Sequence, residues 1–147
     1  MKTTLTALAL AASLASPLAG AQTLSIGYAD PLSSLDPQLN NHAGDRSLAL
    51  HFWDSIINSR DGGKLEPALA SSWKSLDERT WEFKLRTDIK WQDGTPFTAD
   101  DIVFSFQRAR NVPGSVASYT GALRSVESAT ARDAHTVVIK TTTPNPM

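Results

Sequence analysis

Cysteine is absent from the 147 residues, which excludes disulfides, thiolate metal sites and a cysteine nucleophile. An excess of one charge is missing too. Lysine and arginine number 14 against 15 aspartates and glutamates, a formal net charge of −1. That balance, with no run of like charge, gives no footing for a nucleic-acid partner. Catalytic signatures are also lacking: no G-x-S-x-G, H-E-x-x-H or phosphate-loop pattern occurs. His42, His51 and His135 lie far apart and none pairs at i,i+4, so no metal site is expected. Acidic residues fall at turns and helix starts, where local electrostatics accounts for them. No catalytic residue and no cofactor is therefore expected. The length suits about one domain, without internal repeats.

What is present begins with a leader. Residues 1–21 read as a secretory signal peptide: Lys2 supplies the charge, and Leu5 to Leu18 is apolar and small. That run is too short to span a bilayer comfortably. Ala19-Gly20-Ala21 fits the small-residue cleavage rule and leaves Gln22 as the new N-terminus. No cysteine follows, so lipid attachment at a processed cysteine is excluded, and a freely soluble periplasmic protein is expected.

The stretch from Leu65 to Arg108 organises the remainder. It predicts a short helix, a two-stranded hairpin and a second helix packed as one unit. Trp81, Phe83 and Leu85 alternate with Glu82 and Lys84, so one strand face is apolar and the other wet. Ile89 and Trp91 repeat the pattern on the expected second strand. Asp93-Gly94 supplies a turn in which glycine tolerates positive φ. Thr98 is the expected N-cap of the following helix, with Asp101 completing a capping box. Ile102 and Phe106, flanked by Val103, form its buried face.

This stretch also carries a resemblance. PALA-SSW, then TWEFKLR, then KWQDGTPFTADDIVFSFQR closely resembles the family 5 extracellular solute-binding proteins, the periplasmic peptide- and nickel-binding components of ABC importers. Trp91-Gln92 stands where the family often has Phe-His, a tolerated change on a strand. The resemblance implies an α/β fold with an α+β insert, of the periplasmic-binding-protein-like class II. That fold is bilobal, and only its N-terminal part is expected here. Residues 22–50 would begin lobe I, with its first strand and a cleft-lining segment. Residues 51–147 would form the smaller inserted domain, truncated. The isolated chain is accordingly expected to be unstable or to aggregate.

The flanking segments fill in the expectations. Thr23 to Ala29 reads as a strand, by resemblance the first of the larger lobe's sheet. Leu35-Asp36-Pro37 matches the family's Leu-Asp-Pro, with Asp36 as a turn or cap residue. In the family the segment just after this motif lines the ligand cleft, which by position names Asn40, Asn41, His42 and Ala43. Asn40 and Asn41 read equally as turn residues, and His42 as solvent-exposed. A helix is expected from Gly44 or Asp45 to about Ile57, with Leu48, Phe52 and Ile56 spaced by four and His51 partly buried beside them. Tyr119 is the candidate for a ligand-facing aromatic found near here in some family members, with ordinary packing as the other reading. Ser125–Ala129 and His135–Thr141 read as a strand pair, with His135 exposed at its edge. The four tryptophans sit at periodic apolar positions that suggest the core.

The resemblance implies binding by closure: two lobes hinge over a solute, and the closed form docks on an ABC permease of the inner membrane. Di- and oligopeptides are the expected solutes, held by main-chain pairing. Nickel chelates, haem and other small solutes stay open. The full-length protein is expected to be a monomer. A periplasmic hydrolase is the alternative of another class, for which no nucleophile–base set is visible. A sensor domain would need a DNA-binding helix pair where the leader stands.

Overall fold

The structure, a computed structural model, describes residues 23–27 and 31–145. The expected signal peptide, and Tyr28 to Asp30, lie outside the described residues.

The apolar alternation of TWEFKL makes a strand, Thr80–Leu85, and places it at the centre of the fold. In chain order the elements are helix α1 (Ala43–Ala49), strands β1 (Ile57–Ser59) and β2 (Leu65–Pro67), β3 (Ala70–Asp77), β4 (Thr80–Leu85), helix α2 (Ala99–Arg110), β5 (Val126–Asp133) and β6 (Thr136–Thr141). β1 and β2 form a small antiparallel ribbon, with a short 3-10 turn over Asp61–Gly63 between them. The other strands form one antiparallel sheet in the order β3-β4-β6-β5. Its register opposes Trp73 to Phe83, and Phe83 to Val137. Both edge strands slip: β3 against β4 near Ser72 and Asp77, and β5 against β6 near Ser128 and Asp133.

One sheet face is apolar and is covered by α2. Phe83, Leu85, Val137 and Ile139 meet Phe97, Ala99 and Ile102, with Ala70 closing one end. Fully burying a side chain the size of Phe83 contributes roughly 1.5–3 kcal/mol. The helix starts where the sequence says: the Thr98 N–H donates to the Asp101 carboxylate at 2.7 Å, the capping box expected from Thr98 and Asp101. The Ala99 N–H donates to the Ala134 carbonyl at 2.8 Å and pins the helix start to the β5–β6 turn. The Asp93-Gly94 turn is also present, with Gly94 at φ 88°.

Several expectations are corrected. Leu65–Trp73 holds no helix; it contributes β2 and the start of β3. The hairpin partner of Trp81–Leu85 is therefore β3, through the Glu78-Arg79 turn, and not Ile89–Trp91. Trp91 instead stacks edge-on against Phe97 with ring centres 5.7 Å apart. The helix expected through Ile57 stops at Ala49. His51, Phe52 and Trp53 are weak helix formers. Beyond them the Ser55 and Ile56 carbonyls accept from the Leu69 and Ala70 N–H groups, which draws the chain out straight. His51 is thus exposed. Thr23 to Gly27 forms no strand, and Leu24 is 81% exposed. A strand needs partners for its backbone groups, and no described segment pairs with this one.

The second face of β4 is not uniformly wet either. Glu82 is 3% exposed, held between Arg132, in direct ion-pair contact, and Lys74 at 3.3 Å. The sheet's breadth explains this: Lys74 reaches Glu82 from the adjacent β3 and Arg132 from β5, across β6, so long side chains from both sides close over it. His135 sits in the β5–β6 turn, half-buried rather than exposed, and its carbonyl accepts from the Leu85 N–H. Of the tryptophans, Trp73 and Trp81 pack on the core, whereas Trp53 and Trp91 are 42% and 37% exposed.

Candidate functional site

The polar segment after Leu35-Asp36-Pro37 is held in place by side chains. Asp36 accepts from the Gln38 N–H, the turn role expected of it, and its other oxygen takes the Arg108 guanidinium at 2.5 Å. Arg108 also donates to Gln38, and the Gln38 amide donates to the Ser105 carbonyl of α2. Arg108 draws the Asp36 carboxyl below its ordinary value. Further along, the Ser33 N–H and hydroxyl both donate to Asp45, which lowers that carboxyl as well. The segment is thereby strapped at one side to α2 and at the other to α1.

Asn40 is the crossing point. It is buried, donates from its amide to the Ser33 hydroxyl at 3.0 Å, and accepts from the Val116 N–H at 3.3 Å. A parallel bridge joins it to Ala117, and the Asn41 N–H donates to the Ala117 carbonyl at 2.8 Å. The segment 40–43 and the loop carrying Tyr119, some eighty positions apart in the chain, so become neighbours. Asn41, His42 and Ala43 are exposed, and His42 is the N-cap of α1.

Two hollows open beside this crossing. The smaller, about 470 Å³, is lined by Ala43, Arg46, Trp53, Asp54 and Tyr119 among others. It unites two of the expected site residues, Ala43 and Tyr119, while Asn40, Asn41 and His42 stand outside its wall. Tyr119 is half-buried, and that burial pushes its hydroxyl up, so it stays protonated and able to donate. The larger hollow, about 740 Å³, is walled by Phe52, Trp53, Trp91, Phe97 and Phe104, with Asp36, Gln38 and Arg108 at its polar margin. Both volumes fall in the range of small-molecule sites.

Arg46 and Asp54 were not among the residues named from the sequence, and Trp53 was expected in the core rather than at a site. A helix continuing past Ala49 would have turned Trp53 toward the core with Leu48 and Ile56. One signal was present: Arg46 is a lone cation directly after a polar segment. Among the described residues no cluster of three or more His, Asp or Glu could hold a metal ion.

Comparison with known proteins places these features in a wider context. Residues 64–147 match the sequence profile described as bacterial extracellular solute-binding proteins, family 5 Middle. Over 91 residues the chain is 38% identical to the periplasmic murein peptide-binding protein MppA of Escherichia coli, covering 62% of this chain and 17% of MppA. Over 104 residues it is 36% identical to the periplasmic oligopeptide-binding protein OppA of the same organism, covering 69% of this chain and 19% of OppA. The solved structure of the Escherichia coli murein tripeptide-binding protein superimposes with a TM-score of 0.70 at 32% identity, over 80% of this chain and 26% of that one. The chain thus spans under a fifth of the length of these curated relatives.

Proposed function

The chain belongs to the family 5 bacterial extracellular solute-binding proteins, a non-enzymatic family, and from that premise we propose that it is part of a periplasmic protein that captures di- or oligopeptides for an ABC importer. The observation that carries this reading is the shared fold and sequence with proteins named for murein peptide and oligopeptide binding. In this reading residues 22–50 begin lobe I and residues 51–147 form the smaller inserted domain of a class II bilobal fold. The apolar wall of Phe52, Trp53, Trp91 and Phe104 supports it, because so many exposed aromatics in one hollow suit a surface that further polypeptide covers. The joined segments around Asn40 and Ala117 form the floor of the cleft, and Asn41, His42, Ala43 and Tyr119 face the solute. Pairing with a peptide main chain would give affinity with little side-chain discrimination. Closure of the lobes over the solute creates the form that docks on an inner-membrane permease, as a monomer.

The test is to purify the complete protein from the periplasm and identify bound solutes by mass spectrometry. Calorimetric titration with di- to pentapeptides then follows. Binding without turnover is expected. Co-purified solutes that contain no peptide, together with no heat on titration, would refute the peptide reading. Hydrolysis of a bound peptide would refute the binding-protein reading itself.

A further inference from the structure

Two aspartates of the chain, Asp61 and Asp93, stand directly before glycine, and no asparagine does. Before glycine the next backbone nitrogen can reach the side-chain carboxyl carbon, because no Cβ obstructs the approach. Every other Asp and Asn is followed by a residue that carries a side chain. Access does not separate the two pairs. Both turns are exposed, Gly62 and Gly94 have φ of 75° and 88°, and a Cβ added at either would meet nothing within 4 Å.

Hydrogen bonding does separate them. One carboxylate oxygen of Asp93 accepts from the Thr95 N–H at 2.9 Å and from the Thr95 hydroxyl at 2.7 Å. The Gly94 N–H donates to the Trp91 carbonyl at 2.9 Å. Electrophile and nucleophile are thus both held. The Thr95 bonds also draw the Asp93 carboxyl below its ordinary value, which depletes the neutral acid that can lose water. Asp61, among the described residues, makes no side-chain hydrogen bond and no ion pair, and the Gly62 N–H makes no hydrogen bond. The bonds of this turn bracket the pair instead: Arg60 N–H to the Lys64 carbonyl at 2.9 Å, and Gly63 N–H to the Arg60 carbonyl at 3.0 Å. Even the neighbouring Arg60 side chain is engaged elsewhere, on Glu66 at 3.0 Å.

We propose that Asp61-Gly62 is a site of spontaneous covalent modification, at which aspartate isomerises to isoaspartate, while Asp93-Gly94 is protected by its turn. The Gly62 nitrogen attacks the Asp61 carboxyl carbon and a C–N bond forms. The amide proton and the carboxyl hydroxyl leave as one water, giving a five-membered succinimide. Water then adds back at either ring carbonyl. Opening at the side-chain carbonyl restores aspartate. Opening at the main-chain carbonyl routes the chain through the former side chain, one methylene longer and unchanged in mass. That methylene falls in the link between β1 and β2, so the pairing of Ser59 with Leu65 is what it disturbs. The modification is independent of the solute the protein binds.

The test incubates the complete protein in mildly acidic buffer at body temperature, in native and in urea-denatured form. Isoaspartate is then assigned by peptide mapping with electron-transfer fragmentation and quantified with isoaspartyl methyltransferase. In the native protein isoaspartate should form at Asp61 at least about tenfold faster than at Asp93, because three hydrogen bonds must be given up at the second turn. In urea the two rates should converge. Asp61→Glu should remove the signal at that position, since the larger ring closes far more slowly. Thr95→Val should raise the native rate at Asp93 by about fivefold, by deleting one of the bonds that hold it. Equal native rates at the two positions would overturn the proposal. So would isoaspartate that reaches Asp61 in urea but not in the native protein, because the folded turn would then protect it. A rate difference that persists unchanged in urea would also overturn it, since hydrogen bonding would not be the cause.

Discussion

Removing the partners of Glu82 should cost more than removing Glu82. Its carboxylate is 3% exposed on the outer sheet face, with Arg132 in contact and Lys74 at 3.3 Å. The cations themselves are half in water, at 50% and 66% exposed, which screens each pair. Lys74→Met or Arg132→Met alone leaves one partner, and each should cost about 1 kcal/mol. The double variant leaves a buried carboxylate unpaired and should cost about 3 kcal/mol, roughly a hundredfold in local opening. Glu82→Met fills similar volume beside Val138 and leaves two cations that water solvates readily, so it should cost under about 1 kcal/mol. Hydrogen exchange by mass spectrometry on the complete protein reads the opening of the peptide spanning β4, and urea unfolding gives the global counterpart. If Glu82→Met destabilises as much as the double variant, the pairing geometry is itself the stabilising feature and the reasoning fails.

Three further outcomes are expected. Thr98→Ala removes the hydroxyl half of the α2 capping box and should cost about 1 kcal/mol, with faster exchange confined to Ala99–Ile102; an unchanged first turn would contradict the cap. Phe83→Ala opens the core centre and should cost about 3–5 kcal/mol by urea unfolding; a loss under about 1 kcal/mol would mean that the core is not built around β4. Acid should loosen residues 31–45 before the sheet. Arg108 lowers the Asp36 carboxyl and the Ser33 hydrogen bonds lower that of Asp45, so both contribute stability that is complete above the ordinary carboxylate value near 4. That contribution is lost as pH falls through the lowered values, and hydrogen exchange at pH 2.5 to 5 should show the segment opening first. Simultaneous opening of segment and sheet would refute the separate tether.

The parts legible in the sequence were those governed by short-range rules. Thr98 with Asp101, and Asp93-Gly94, encode a cap and a turn within a few residues. Val137 and Ile139 announce a strand by alternation alone. The misreadings came where a distant segment decides. Ser71-Ser72-Trp73 carries no clear period, and becomes a strand because β4 offers an edge to pair with. The run Leu48, Phe52, Ile56 has helical spacing, yet its second half is drawn straight by bonds to Leu69 and Ala70. Glu82 looked solvated because alternation assigns faces and says nothing of the neighbours that cover them. The same limit applies to the site: proximity of residues 40–43 to Tyr119 depends on the Asn40–Ala117 bridge, which no local pattern encodes.

The slipped registers at β3 and β5 have a consequence for how the sheet's borders meet other strands. A straight outer strand is a template on which a second copy can add and polymerise. Here each border of the sheet is kinked in two places, so a newcomer would meet N–H and C=O groups out of step after a few residues. Backbone irregularity at the two borders of the described sheet thus disfavours side-by-side addition of another strand.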